Sequence, residues 1–323
     1  MKFFAFILAA IALLGAVGAT GRKENGEIVA AYQQLIEKDL RLATIGFHLA
    51  RANAPYCRNQ MRNPGWVLHD IAQYGDAENA RVAFDFRQPV AVAAVVEGGP
   101  AAQAGIVPGD GLAARNGQQW EWAQSARMTS RRIDTIRAEL QTILDRDGRI
   151  AITFATRAGE RKLTISPDRV CRSDFWVDVR PKRDAGADGA RVRVTSGLID
   201  YVQDDDELAA VVAHEMAHNL LDHRPRINAT KKGKTSVIKD TEEEADRLSV
   251  WLMANAGYDP EAAITFWERY GKETGLGIFS APTHYRWQTR VTMLREEIDK
   301  MASLSANAGR RDPPLLAAHR DKK

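Results

Sequence analysis

Cysteine is scarce, with two residues in 323. That excludes a disulfide-dense scaffold and a four-cysteine metal site, and leaves room for one bridge. Any metal centre must draw its donors from His, Asp and Glu. Glycine and proline, 24 and 12 residues, stay near ordinary usage, which excludes a collagen-like or broadly disordered chain. A dominant charge sign is also missing. The 45 basic and 42 acidic side chains leave a net charge of +3, so nothing calls for nucleic acid or an acidic membrane as partner. Beyond the first nineteen residues no apolar run is long enough to span a bilayer. No Gly-x-Ser-Gly segment offers a nucleophilic serine.

What is present begins with an address. Lys2, the uncharged run Phe3 to Ala19 and the small residues Val17-Gly18-Ala19 predict a signal peptide over 1–19, with an uncleaved membrane anchor as the alternative. Both export the remainder, which points to the periplasm. Residues 20–64 carry Ile28, Tyr32, Leu35, Ile45 and Leu49 at the spacing of an amphipathic helix that packs on a following domain. Residues 65–168 differ in texture. Arg81 to Phe86, Pro89 to Val96, Ile150 to Phe154 and Lys162 to Ile165 predict strands, while Ile133, Ile136, Leu140, Ile143 and Leu144 predict one long helix.

In 169–303, Phe175 to Arg180 and Arg191 to Thr195 predict strands, and helices follow. One runs from Glu207 to about His223, capped by Asp205 or Asp206, and another from Thr241 to Asn255, capped by Asp240. Between them, residues 224–239 hold six basic side chains and no acidic one, which predicts a solvated loop that could border a binding cleft. Residues 304–323 predict a loose tail. The fold class is α+β: a mainly helical domain with a small sheet, plus a β-rich module inserted into it.

The chemistry centres on His214-Glu215-Met216-Ala217-His218. On a helix, residues four apart share a face, so two imidazoles can meet one ion while Glu215 points beside it. Zinc takes such nitrogen donors together with a third ligand, and a catalytic site keeps one position for water. Downstream, Glu242 and Asp246 are again four apart, so one can reach the metal while the other accepts a hydrogen bond from a ligand histidine.

These linked motifs resemble the gluzincin metallopeptidases of family 48, which includes the CAAX prenyl proteases and HtpX-like enzymes. Val194 to Ile199, Glu207 to Ala213 and Ala256-Gly257-Tyr258-Asp259-Pro260 add to the likeness. The resemblance implies a zincin-type fold with one Zn2+ per chain, held by His214, His218 and Glu242. It makes Glu215 the general base and Asp246 the outer partner. Through Thr283-His284 and Arg290 it makes His284 a donor to the oxyanion and Arg290 an organiser of the cleft; Tyr285 stands where the family has Pro. His223 points to a different face and is expected to be structural. Substrate is expected along an edge strand formed by Arg191, Val192, Arg193, Val194 and Thr195.

A second resemblance runs through Val95 to Ile106, Pro108-Gly109-Asp110 and Arg115-Asn116-Gly117, a pattern similar to the PDZ domains of bacterial exported proteases. It implies a peptide groove between a strand and the long helix, with a carboxylate-binding loop just before Arg81 to Phe86. Cys57 and Cys171 bracket this module, and in an oxidising compartment they are expected to form a bridge, with two buried thiols as the alternative. Together these features predict an exported zinc endopeptidase acting on protein or peptide substrates. The alternative is a peptide-binding PDZ scaffold with a structural or inactive metal site. Nothing in the sequence sets an oligomeric state.

Overall fold

In the structure, a computed structural model, residues 5–122, 128–274, 286–304 and 311–321 are described, with side chains from residue 25 onward. Helix α1 (Ala5–Ala52) is the spine. Its last turns bury Leu42, Ile45, Leu49 and Ala50, the three-and-four spacing that a helix needs to present one apolar stripe. That stripe enters the main core, while Tyr32 and Ile36 pack on a second, smaller one. Among the described residues no helix is long and apolar enough to cross a membrane.

The β-rich module comprises β2 (Trp66–Asp70), α2 (Ala77–Phe84), β3 (Val90–Val95), α3 (Pro100–Gln103), β4 (Gly111–Arg115), β5 (Gln118–Gln119), α4 (Arg131–Asp147), β6 (Ile150–Thr156) and β7 (Gly159–Ile165), after a short β1 (Gln60–Arg62). Its antiparallel sheet runs β2-β3-β4-β6-β7. Helix α4 buries Ile133, Ile136, Leu140 and Leu144 in the module's own core and ends at Gly148, whose φ of 73° favours glycine.

The stretch Arg81 to Phe86 is not a strand. Asp76 caps a helix there by accepting from Asn79 N, and Ala80 and Phe84, four apart, are its buried apolar residues. Helix α4 packs against β1, β2 and β6, and the segment before Arg81 is the start of helix α2 and not a loop leading into a strand.

Strand β8 (Arg169–Cys171) returns to pair with β1, setting Cys171 opposite Gln60. Cys57 and Cys171 form a disulfide with a Cα separation of 5.4 Å across 114 positions of sequence. The bridge thus ties the two ends of the module together.

The remaining sheet holds β9 (Asp174–Asp178), β10 (Ala185–Ala187) and β11 (Arg191–Thr195) in the order β10-β11-β9. Strand β11 is parallel to β9 and antiparallel to β10. Arg191 to Thr195 is therefore the central strand, and the expectation of a substrate-pairing edge there is wrong. The alternation that buries Val192 and Val194 marks one covered face and is silent on how many neighbours a strand has. Among the described residues β10 pairs with β11 alone, so its other edge, on the site's side, has no strand partner.

Helices α5 (Ser196–Ile199), α6 (Asp205–Leu220), α7 (His223–Ala229), α8 (Lys234–Ala256), α9 (Glu261–Thr274), α10 (Trp287–Ala302) and α11 (Pro314–Asp321) complete the chain. Three boundaries differ from the sequence expectation. The cap of α6 is Asp204, which accepts from Glu207 N. Helix α8 begins at Lys234, so Asp240 lies within it and the basic run is largely helical. The expected loose tail includes α11, whose Leu316 is buried in the main core and whose Arg320 donates to Tyr56 O.

Candidate metal centre

Helix α6 is a core helix. Asp204 caps it, Asp205, Asp206 and Glu207 favour the positive end of its dipole, and nearly every side chain from Glu207 to Leu220 is buried. Polar groups so placed are costly unless partnered. His214 and His218, one turn apart, face α8, which packs along α6 and contributes Glu242 and Asp246 from its third and fourth turns.

The three expected donors converge. His214 Nε2 and His218 Nε2 lie 3.2 Å apart. Glu242 Oε2 is 3.4 Å from the first, and its Oε1 is 3.5 Å from the second. Among the described residues this is the one His/Asp/Glu group whose donor atoms all lie within 4.8 Å of one another. Behind the donors, each imidazole is held by its other nitrogen. His214 Nδ1 lies 2.9 Å from Asp246 Oδ1. Asp246 is in turn paired with Arg290, whose Nε donates at 2.7 Å and whose guanidinium stacks on Trp267 at 3.4 Å. Arg290, 1% exposed, therefore braces the ligands from behind and does not border the cleft.

His223 departs from the sequence expectation. Five residues beyond His218 on a continuous helix it would face elsewhere. However, α6 stops at Leu220 and Asp222 adopts a left-handed conformation at φ 53°, which swings His223 back. Its Nδ1 sits 2.9 Å from His218 Nδ1, and its Nε2 sits 2.9 Å from Glu244 Oε2, where Arg226 also donates at 2.6 Å.

The tautomers then follow. With Glu244 accepting from His223 Nε2, His223 Nδ1 accepts from His218 Nδ1, and His218 Nε2 is left as a free lone pair. Sequence reasoning overlooked Glu244 as a partner, although it stands between Glu242 and Asp246. His284 and Tyr285 lie outside the described residues.

Burial dominates the electrostatics. It pushes the Glu215 carboxyl up to about 7. Burial and the neighbouring His214 charge pull His218 down to about 3. His214 is drawn down by burial, but hydrogen bonds to Asp246 and Glu242 outweigh this and raise it to about 10. Asp246 stays below the usual carboxylate range because Arg290 and His214 overcome its burial.

Two imidazole nitrogens and a carboxylate, with both Nδ1 atoms engaged and both Nε2 atoms turned to one point, fit a zinc ion. In the metal-free protein the His214 proton contributes stability that is complete below about pH 6.5 and lost as pH rises through about 10. Zinc must displace that proton. We expect calorimetry at pH 7.5, in buffers of differing ionisation heat, to show at least one proton released per chain. Affinity should rise about tenfold per pH unit below pH 9; a pH-independent affinity would contradict this charge state.

The donors open on a cleft of about 400 Å³ whose walls are β10 (with Asp184 and Gly189), the α6 face bearing His214, Glu215 and His218, and α7 with Arg224, Ile227 and Asn228. Glu215, 6% exposed, stands in this wall beside the three donors.

Peptidase family M48 matches residues 177–238, a span that holds His214, Glu215 and His218 and ends before Glu242. The mitochondrial metalloendopeptidase OMA1 of Schizosaccharomyces pombe is 27% identical over 138 residues, 33% of this chain and 41% of the relative. A putative beta-barrel assembly-enhancing protease of Vibrio cholerae is 29% identical over 174 residues, 41% of this chain and 34% of the relative. The beta-barrel assembly-enhancing protease of Escherichia coli K12 is 25% identical over 118 residues, 25% of this chain and 24% of the relative. The chain thus spans less than half the length of each. These similarities support a metallopeptidase of the M48 kind.

Proposed function

We propose that this chain is an exported, zinc-dependent endopeptidase that hydrolyses extended protein substrates. The observation that carries it is Glu215, a carboxylate outside the donor group that is buried in the cleft wall beside three converging donors. A structural metal site has no use for such a base. When bound by His214 Nε2, His218 Nε2 and Glu242, zinc would polarise the scissile carbonyl and acidify a water.

The chain's own residues do the rest. Glu215 takes a proton from the attacking water and returns it to the leaving amine. Asp246 and the His223–Glu244 pair hold the two imidazoles in the tautomer that leaves Nε2 unprotonated. Strand β10 offers its outer edge to a substrate backbone, and Ala185, Gly186 and Ala187 are small enough to let that backbone approach. His284 is assigned to the developing oxyanion.

The β-rich module is assigned a PDZ-like role in holding peptide. A crevice of about 290 Å³ lies between β2 and α4, bordered by Phe175 and Trp176 of β9. Arg137 of α4 stacks on Trp176 at 4.7 Å, so the crevice adjoins the peptidase body. That contact is consistent with peptide binding in one module being felt in the other.

Incubation with a casein-type substrate tests the activity. The zinc-loaded protein is expected to cut it, a chelator to abolish cutting, and added zinc to restore it. Zinc-replete protein that leaves casein and a panel of unfolded proteins whole would overturn the proposal.

A further inference from the structure

Deepening the endopeptidase proposal and resting on it, we infer that Arg224 makes the cleft selective for an acidic side chain on one side only of the scissile bond. The two ends of the substrate-pairing strand β10 carry opposite charges in different states. At its start, Asp184 is already neutralised, with Lys182 at 3.7 Å and Arg193 at 3.6 Å. Past its end, Arg224 lines the cleft from the first turn of α7, is exposed, and meets no carboxylate within 4.0 Å among the described residues. Its neighbour on the same helix, Arg226, shows the contrast by pairing with Glu244 at 2.6 Å.

The position of Arg224 is set by a built frame. Asp188 Oδ1 accepts from Ala190 N and Arg191 N, closing the turn that follows β10. Gly189 in that turn has φ of 99° and donates its N–H to Asn219 Oδ1 of α6 at 2.8 Å. A Cβ at Gly189 would lie 3.9 Å from the Cβ of Arg224. The side chain therefore starts beside the strand's end, carried by a helix and not by a loop. An extended substrate advances about 3.3 Å per residue, so the charge can meet side chains within about three residues of the scissile bond. Those at the Asp184 end meet a charge already satisfied.

Arg224 and a substrate carboxylate would form a partly exposed pair, for which a preference of about fivefold is expected, weakening as salt screens it. The experiment uses zinc-loaded full chain and fluorogenic peptides that differ only by Asp, Asn or Lys at each position from three before to three after the cut. Within each protein the ratio of kcat/KM for Asp over Lys is read, so a variant's active fraction cancels.

The parent should favour Asp about fivefold at positions on one side and show a ratio near one on the other. Salt at about 0.5 M should flatten the preference. Arg224→Lys should keep it and Arg224→Glu should invert it. Cutting with no charge preference, or a preference unchanged in Arg224→Glu, would overturn this inference and leave the endopeptidase standing. No cutting of these peptides or of casein would overturn both.

Discussion

Glu215→Gln is expected to load one zinc per chain as the parent does and to cut at about a hundredth to a ten-thousandth of the parental rate. Glutamine keeps the volume and a hydrogen-bonding oxygen of the buried side chain, and the three donors, His214, His218 and Glu242, are untouched. What it removes is the group that takes up a proton. Single-turnover cleavage and metal analysis on the same preparation separate the two effects. A pH profile adds a second reading. Glu215 must be ionised to act, so parental activity should rise with pH through its pKa. Burial sets that pKa at about 7 without metal, and a bound cation would draw it lower. The acid limb should vanish from whatever rate the variant retains. Parental cutting by Glu215→Gln would remove this residue from the mechanism.

The second large effect is on stability. Replacing Cys57 and Cys171 together by Ala is expected to destabilise the protein by about 4 to 5 kcal/mol, because the bridge closes a loop near the hundred-residue length for which chain entropy gives that figure. The separation is 114 positions. Both sulfurs are buried, with Cys171 at 0% and Cys57 at 7% exposure, so lost packing acts in the same direction. Denaturant unfolding of the oxidised parent against the double variant reads the difference as a lower midpoint together with a steeper slope, because the chain without its cross-link exposes more surface when unfolded. A somewhat smaller shift should appear when the parent is unfolded with a reductant present, since both side chains then stay in the core. Coincident midpoints would show that the two ends of the module are held by other contacts.

Local spacing explains why the centre was legible in the sequence. His214 and His218, like Glu242 and Asp246, are each one helical turn apart, and any helix over them must put each pair on one face. The disulfide was legible for a related reason, since two cysteines bracketing a module of its own composition suggest a closed insert. Helix α4 and strands β6, β7 and β11 follow from periodicity in the same way.

The errors share a cause too. Residues 77–84 hold valine and phenylalanine, yet a cap at Asp76 and contacts with Tyr32 and Ile36 of a distant helix make them helical. The charge of residues 224–239 suggested a loop, but an exposed helix tolerates such side chains equally well.

By itself, then, the sequence determined which side chains could carry metal chemistry and that they would sit in pairs on two helices, because a turn of helix is a property of five consecutive residues. Only the tertiary structure decided that both pairs meet at one point, that β10 and not β11 has the free edge, and that His223 closes on His218. Each of these depends on which distant segment becomes a neighbour. That choice is made by the packing of α1, α6 and α8 around a common core, and no periodicity within a single segment encodes it.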